Sequence, residues 1–321
     1  MMKRSSLHCL MTAFAVCLLA SCQYKDLEDV ENRQAFTVSF SHERVDSVPA
    51  SYRLAFYPVD QEARERLSGC VMYDVSSSGA ALSLPSGLYD VTAWNNDCEH
   101  VITSASTVRE SAYATTGQFS PHGYVYVPKV LDSLYLSQRV LDYPDYMTHA
   151  NHDGFRLVAG QEGQHLTLDA DSMVVTIEVR LNGVKGLEYC QNVRGAVNNV
   201  AGKRFMAFPN KTEEKVAVMF DAEPHKDDSC VTARFWVFGI EPTDFDGLEH
   251  RMVFFFWITG NQVYASLDVS DIIARARKED TYLFVDTPDL GIDLSEYVRK
   301  GSAGMVVDAE DWNSVEINLN F

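Results

Sequence analysis

From Phe36 onward the chain is a succession of short runs in which apolar and polar residues alternate. Phe36-Thr37-Val38-Ser39-Phe40 has the period of two that a half-buried strand requires. Arg53 to Tyr57 and Val71 to Val75 follow it, and Pro58 closes the first of these. Leu84-Pro85-Ser86-Gly87 then predicts a hairpin between Ala81–Leu84 and Leu88–Trp94, because Pro fixes φ and Gly tolerates positive φ. Further on, Met173 to Leu181 alternates well, with a turn expected at Asn182-Gly183. Strands are also predicted at Phe155–Val158, His165–Leu168, Arg204–Phe208, Lys215–Phe220, Val231–Phe238, Arg251–Ile258, Val263–Leu267 and Val315–Phe321. Gly260-Asn261 should join the Arg251 and Val263 strands as a tight hairpin.

One helix breaks the pattern: Ser270 as cap, Asp271 in the first turn, and Arg275, Arg277 and Lys278 toward the C-terminal end. Many short strands with a single short helix predict an all-β chain of sandwich architecture. Met252 to Ile258 is apolar on both faces. That predicts a central strand covered on both sides, or else a strand bordering a groove that receives another subunit. The loop Thr148 to Gly154 is the expected domain boundary, giving an N-terminal sandwich over 35–153 and a C-terminal one over 154–321.

The first 34 residues follow a different pattern. Lys3 and Arg4 precede the mostly apolar run Leu10–Ala20, and Leu19-Ala20-Ser21-Cys22 ends it. This is the layout of a secretory signal over 1–21, too short for a membrane span. Cys22 after small residues resembles a bacterial lipobox, which makes its thiol the expected lipidation site. The polar stretch 22–34 reads as a tether. Losing Lys3 and Arg4 deepens a formal charge of −18 by two. So acidic a chain argues against nucleic acid as a partner.

Beyond Cys22 the mature chain keeps Cys70, Cys98, Cys190 and Cys230. An oxidising compartment permits two disulfides, with Cys70–Cys98 and Cys190–Cys230 as the pairs local to each domain; four buried free thiols are the other reading. No nucleophile elbow, phosphate loop, zinc-helix or dinucleotide motif is present. No cofactor, metal site or catalytic residue is therefore expected. His149 and His152 read as solvated loop residues, and Cys98-Glu99-His100 as neighbours on opposite strand faces. Asp244 to Gly247 reads as a turn. Of the four Trp, Trp236 and Trp257 are expected in the core, and Trp94 and Trp312 nearer the surface, where they could form a sugar platform.

Several segments together carry a resemblance: Ser21 to Leu27, the Leu84–Tyr89 turn with Asn95 beyond it, Ile177 to Tyr189, Arg194 to Gly202, Trp236 to Gly239, and Leu267 to Ile273. The chain is similar to Bacteroidales fimbrial lipoproteins, in particular the anchor-type minor subunits of type V pili and their uncharacterised relatives. The resemblance implies two tandem transthyretin-like β-sandwich domains. It further implies a non-enzymatic outer-membrane lipoprotein at the cell surface that tethers or terminates a pilus, held to the membrane by its lipid. Fimbrial subunits would be its partners, joined by β-strand addition. In that family polymerising subunits lose a lipidated N-terminal strand to an arginine-specific protease, whereas anchors keep it. Arg33 could be such a cut site, or one Arg in a polar tether. The candidate exchange segments are Phe36, Val38 and Phe40 at one end and Val315, Ile317, Leu319 and Phe321 at the other. A surface glycan-binding lipoprotein is the alternative.

Overall fold

A computed structural model of the chain describes residues 33–104, 106–119, 138–243, 247–258, 261–275, 282–298 and 314–319, the last as backbone. The architecture is all-β, organised as two tandem sandwich-like units. The first unit is one sheet of seven strands. These are β1 (Arg33–Arg44), β2 (Ser51–Pro58), β3 (Val71–Ser76), β4 (Ala80–Pro85), β5 (Gly87–Asn95), β9 (Thr148–Leu157) and β10 (Gln164–Ser172), in the order β3-β2-β5-β9-β10-β1-β4.

The two ends of that sheet meet. Only Ser77-Ser78-Gly79 separates β3 from β4, and the Tyr73 hydroxyl donates to the Ser83 carbonyl at 2.8 Å. Gly79, at φ +94°, passes so close to β1 that a Cβ would stand 2.1 Å from the Val38 carbonyl oxygen. The curled sheet encloses a core of Phe36, Val38, Tyr52, Leu54, Phe56, Leu84, Tyr89, Leu166 and Leu168. Pro85-Ser86-Gly87 does not make the predicted hairpin. β4 pairs with β1, while β5 pairs with β2 and β9, so the turn carries the chain from the sheet's end to its middle. Gly87 permits this by lying against a helix the sequence reading missed, α1 (Gln61–Arg66), where a Cβ would meet that of Ala63 at 2.7 Å. Asp60 caps α1 by accepting from the Ala63 amide, Glu62 lies in its first turn, and Arg64 and Arg66 lie in its last. With one buried residue, Ala63, it has no apolar stripe to read.

The second unit is a two-layer sandwich. One layer comprises β11 (Val175–Lys185), β14 (Cys230–Val237) and β17 (Tyr282–Asp293). The other comprises β12 (Cys190–Phe205), β13 (Thr212–His225), β15 (Arg251–Ile258), β16 (Asn261–Asp268) and β18 (Ser314–Leu319). β13 changes layer: Ala222 still pairs with Val193 of β12, but Glu223 pairs with Thr232 of β14. Phe220, just before that step, stacks on Phe235 with ring centroids 3.9 Å apart. Gly195 is required beneath it, since a Cβ there would meet the Phe220 ring at 2.2 Å.

β15 is the covered central strand its composition predicts. Met252, Phe254, Phe256 and Ile258 enter the core between the layers, and Val253, Phe255 and Trp257 enter a second cluster on the opposite face. β15 and β16 pair from Ile258↔Asn261, as the expected hairpin requires. Asn182-Gly183 is a bulge within β11, not a turn. Gly183 has φ +74°, the register against β17 shifts there, and the Asn182 side-chain Nδ2 donates to the Thr287 carbonyl at 2.5 Å and to Asp286 at 2.8 Å. The helix at Ser270 is present as α2 (Ser270–Arg275), with Asp268 accepting from the Ser270 amide at 3.0 Å.

The expected boundary at 153/154 is corrected, because it falls inside β9, and both β9 and β10 belong to the first sheet. The units also interlock. β6 (Val101–Ser104), β7 (Tyr113–Thr116) and β8 (Arg139–Asp142) join the second unit through β12 and β13 before the chain returns to complete the first. Arg109 marks this crossing. Its guanidinium reaches back to Asp90 at 3.3 Å and Asp153 at 2.7 Å, and donates to Thr92 at 3.1 Å. Trp94, Met147, Met173, Met206 and Phe238 pack the junction. Trp94 is fully buried there, which removes it as a surface platform; Trp312 lies outside the described residues.

Candidate strand-exchange interface

The two candidate exchange segments occupy different places. β1 is an interior strand. It runs parallel to β10, with Phe36↔Gln164, Val38↔Leu166 and Phe40↔Leu168, and antiparallel to β4, with Arg33↔Pro85 and Val38↔Ala80. Phe36 and Val38 are buried, and Phe40 stacks on Tyr52 at 4.1 Å. On the outer face the His165 ring joins the Thr37 hydroxyl at 2.7 Å and the Ser39 hydroxyl at 2.9 Å. Arg33 opens the strand; its exposed guanidinium donates to the Ser83 carbonyl at 3.1 Å. A cut after Arg33 leaves Gln34–Val38 in the β4 ladder and Phe36–Arg44 in the β10 ladder. Arg44, ion-paired with Asp171 at 3.5 Å, is the arginine at the other end.

β18 is an edge strand, parallel to β16, with Val315↔Val263, Ile317↔Ala265 and Leu319↔Leu267. Cys22 and Phe321 lie outside the described residues. The far edge of the other layer is β17, where Tyr282 and Phe284 are half exposed on the outward face.

The four cysteines are free thiols, so neither expected disulfide is formed. Cys70 precedes β3 beside Phe56, while Cys98 bonds Asn95, which faces Tyr52. Four residues of β2 separate those positions, about 13 Å at strand rise, against Cα separations below about 7 Å in disulfides. Cys190 lies in the core between the layers, and the Cys230 side chain lies outside that cluster. Burial pushes the Cys98 thiol up to about 12 and those of Cys70 and Cys190 up to about 11, away from nucleophilic thiolates. His100 bonds Asp145 at 2.9 Å rather than Cys98. His149 and His152 are in β9, not a loop. Three residues apart on a strand they face opposite ways, and burial pushes His149 down to about 3. Asp244 to Asp246 lie outside the described residues.

The sequence reading missed all but the end of β12, which pairs with β13, β15 and β7 at the centre of the second unit; the strand expected at Arg204–Phe208 is the last two residues of β12, which stops at Phe205. Its Asn198-Asn199 pair disguises it, with Asn199 at φ +59° in a bulge. Asn198 accepts from the Arg251 amide at 2.6 Å, and Gln138 donates to Asn199 at 2.7 Å.

Comparison with known proteins agrees with this architecture. The profile of a family described as "Domain of unknown function (DUF5119)" matches residues 21–221. A Bacteroides ovatus protein named "Putative fimbrium anchoring subunit Fim4B" is 23% identical over 222 residues. The match covers 69% of this chain, and the chain spans 61% of that relative's length. A solved "putative adhesin" from Bacteroides ovatus superposes with a TM-score of 0.62 at 20% identity, covering 88% of this chain and 99% of that one. A second, also a Bacteroides ovatus "putative adhesin", gives 0.50 at 8% identity over 79% and 89%. These likenesses establish a shared fold.

Proposed function

The chain belongs to the DUF5119 family, and on that premise we propose that it is a non-enzymatic fimbrial anchor or accessory subunit. It is held at the outer surface of the cell by a lipid on Cys22. The name of the Bacteroides ovatus relative supports a fimbrial role. The observation that carries the anchor reading is the position of β1, paired on both sides and contributing Phe36 and Val38 to the core. An anchor keeps this strand, and the tether, expected over 22–34 but ending before β1 begins at Arg33, then leads from the lipid to a strand paired on both sides. Arg33 as a cut site would detach the lipid yet open no groove, since Gln34–Arg44 would stay paired; only a cut after Arg44 would free β1. The fimbrial partner would be engaged by strand addition at the second unit, where β18 and β17 are the edges.

Intact-mass analysis of protein from native membranes tests this. The anchor predicts one species beginning at acylated Cys22. A species beginning at Val45, assembled into pili, overturns it in favour of a polymerising subunit. One beginning at Gln34 refutes lipid retention while leaving β1 in place.

A further inference from the structure

The outward face of the β17–β11–β14 layer has a composition that strand pairing does not explain. Register sets three rows across it: Tyr282–Thr176–Trp236, Phe284–Glu178–Arg234 and Asp286–Arg180–Thr232. The third continues to Glu223 on β13. Where β13 turns to the other layer the face becomes a trough of about 590 Å³, reaching from Phe284 past Glu178, Arg180 and Arg234 to Asp221. It crosses four strands, about 14 Å. Phe284 is 49% exposed and Tyr282 48%, both on an edge strand whose intervening Leu283 and Val285 are buried.

The polar groups on the floor are arranged in donor–acceptor pairs. Arg234 stands 3.5 Å from Glu178, which also accepts from the Tyr282 hydroxyl. Arg180 donates through Nε to Asn182 at 3.1 Å, and Asn182 donates to Asp286 at 2.8 Å. A guanidinium carries five N–H donors and a carboxylate about four lone-pair sites, so these contacts leave capacity on both.

We propose that this trough binds a neutral oligosaccharide, which would give the subunit an adhesive function of its own beyond anchoring. The apolar C–H face of one sugar ring lies on Phe284, flanked by Tyr282. Vicinal hydroxyls, each both donor and acceptor, match the alternating guanidinium and carboxylate groups of Arg234, Glu178 and Arg180. The charge balance selects the class. Glu178, Asp221, Glu223 and Asp286 outnumber Arg180, Arg234 and Arg194, the last paired with Asp221 at 2.7 Å, in a chain of net charge −18. Sulfated, sialylated or uronic polymers are therefore repelled.

An immobilised panel of neutral glucan, mannan, xylan and galactan fragments, with sulfated and sialylated glycans beside them, tests this on the full mature protein. Binding to at least one neutral class is expected. Phe284→Ser should weaken it at least tenfold and Arg234→Ala about tenfold. Tyr189→Ser, which removes another exposed aromatic elsewhere, should leave it unchanged. Thermal melts of the three variants should overlay that of the parent. No binding to any neutral glycan, binding confined to acidic glycans, or binding that survives Phe284→Ser would each overturn the proposal. None of these outcomes bears on the mass at Cys22.

Discussion

The N-terminal strand β1 and the C-terminal strand β18 both alternate apolar and polar residues, yet the fold uses them in opposite ways. β1 is held between a parallel and an antiparallel neighbour, and the sheet around it closes so that its ends touch through Tyr73 and Ser83. β18 hangs on one parallel ladder at the rim of the second unit. A strand's two rows of backbone groups are equally reactive wherever it lies; what differs is how many are already satisfied. The first unit thus places its N-terminal strand between two neighbours, and the second leaves its last strand at an edge.

The largest expected effect breaks this asymmetry outright. Deleting residues 22–44 removes two ladders and the buried Phe36 and Val38 side chains, well over 5 kcal/mol. The first unit should lose its cooperative melt and the protein should aggregate. Deleting residues 314–321 removes one ladder and should leave a soluble protein with a native-like near-ultraviolet spectrum. A soluble, cooperatively melting 45–321 fragment would show that β1 is dispensable, as in a polymerising subunit.

Phe36→Ala measures the same contrast at one side chain. It empties a site between Phe56 and Phe155, whose rings lie 5.7 and 5.3 Å away, and should cost about 3–5 kcal/mol by urea unfolding. Phe284→Ser on the open face of β17 should change stability by about 0.5 kcal/mol or less. Equal costs would mean that β17 is as enclosed as β1.

The difference between the two strands was only half legible in the chain. Alternating runs located β1 to β5, β10, β11, β13, β14, β16 and β18, because burying one face leaves a period of two, and β15 was found instead by being apolar on both faces. Alternation carries no information on which neighbour a strand takes. Pro85-Ser86-Gly87 looks like a hairpin whether β5 folds back on β4 or crosses to β2; in the fold it crosses, and Gly87 packs against Ala63 of α1. β12 escaped because Gly195 makes room for Phe220 and Asn199 takes a left-handed conformation, and both residues read locally as turn formers. The 153/154 boundary failed for a related reason: Asn151, Asp153 and Gly154 read as loop residues, but Asn151 and Asp153 are there to bind the Arg109 crossing. Trp94 sits at a strand end and still lies at the junction of the two units.

Acid sharpens the comparison at an intermediate scale. His149, in the first sheet, is buried and its folded pKa falls to about 3, against about 6.5 in the unfolded chain. Below pH 6.5 the unfolded state takes up a proton that the folded state refuses, so stability drops as pH falls from 6.5 toward 3. The loss should be about 2 kcal/mol at pH 5. His149→Gln should flatten the dependence of the urea midpoint on pH across that window. The slope should stay unchanged in His100→Gln at its acid end, because the Asp145 carboxylate raises the His100 pKa and protonation there favours the folded form. A His149→Gln variant as acid-sensitive as its parent would place the sensitivity elsewhere.

The smallest effect asks what holds the mouth of the β1 slot. Arg33 begins the strand and donates to the Ser83 carbonyl and, at 3.5 Å, to the Tyr73 hydroxyl, so it touches both meeting ends of the first sheet. Its side chain is exposed, and water replaces its donors readily when it is removed. Packing of Phe36 and Val38 three and five residues further in does not depend on it. Arg33→Ala should therefore cost about 0.5–1 kcal/mol, read as a shift in the urea midpoint at constant slope. A loss above about 2 kcal/mol would show that the arginine clamp, rather than the buried side chains, retains β1. Cutting after Arg33 would then loosen the strand it leaves behind, and the residue would regain the processing role that its position in the ladder argues against.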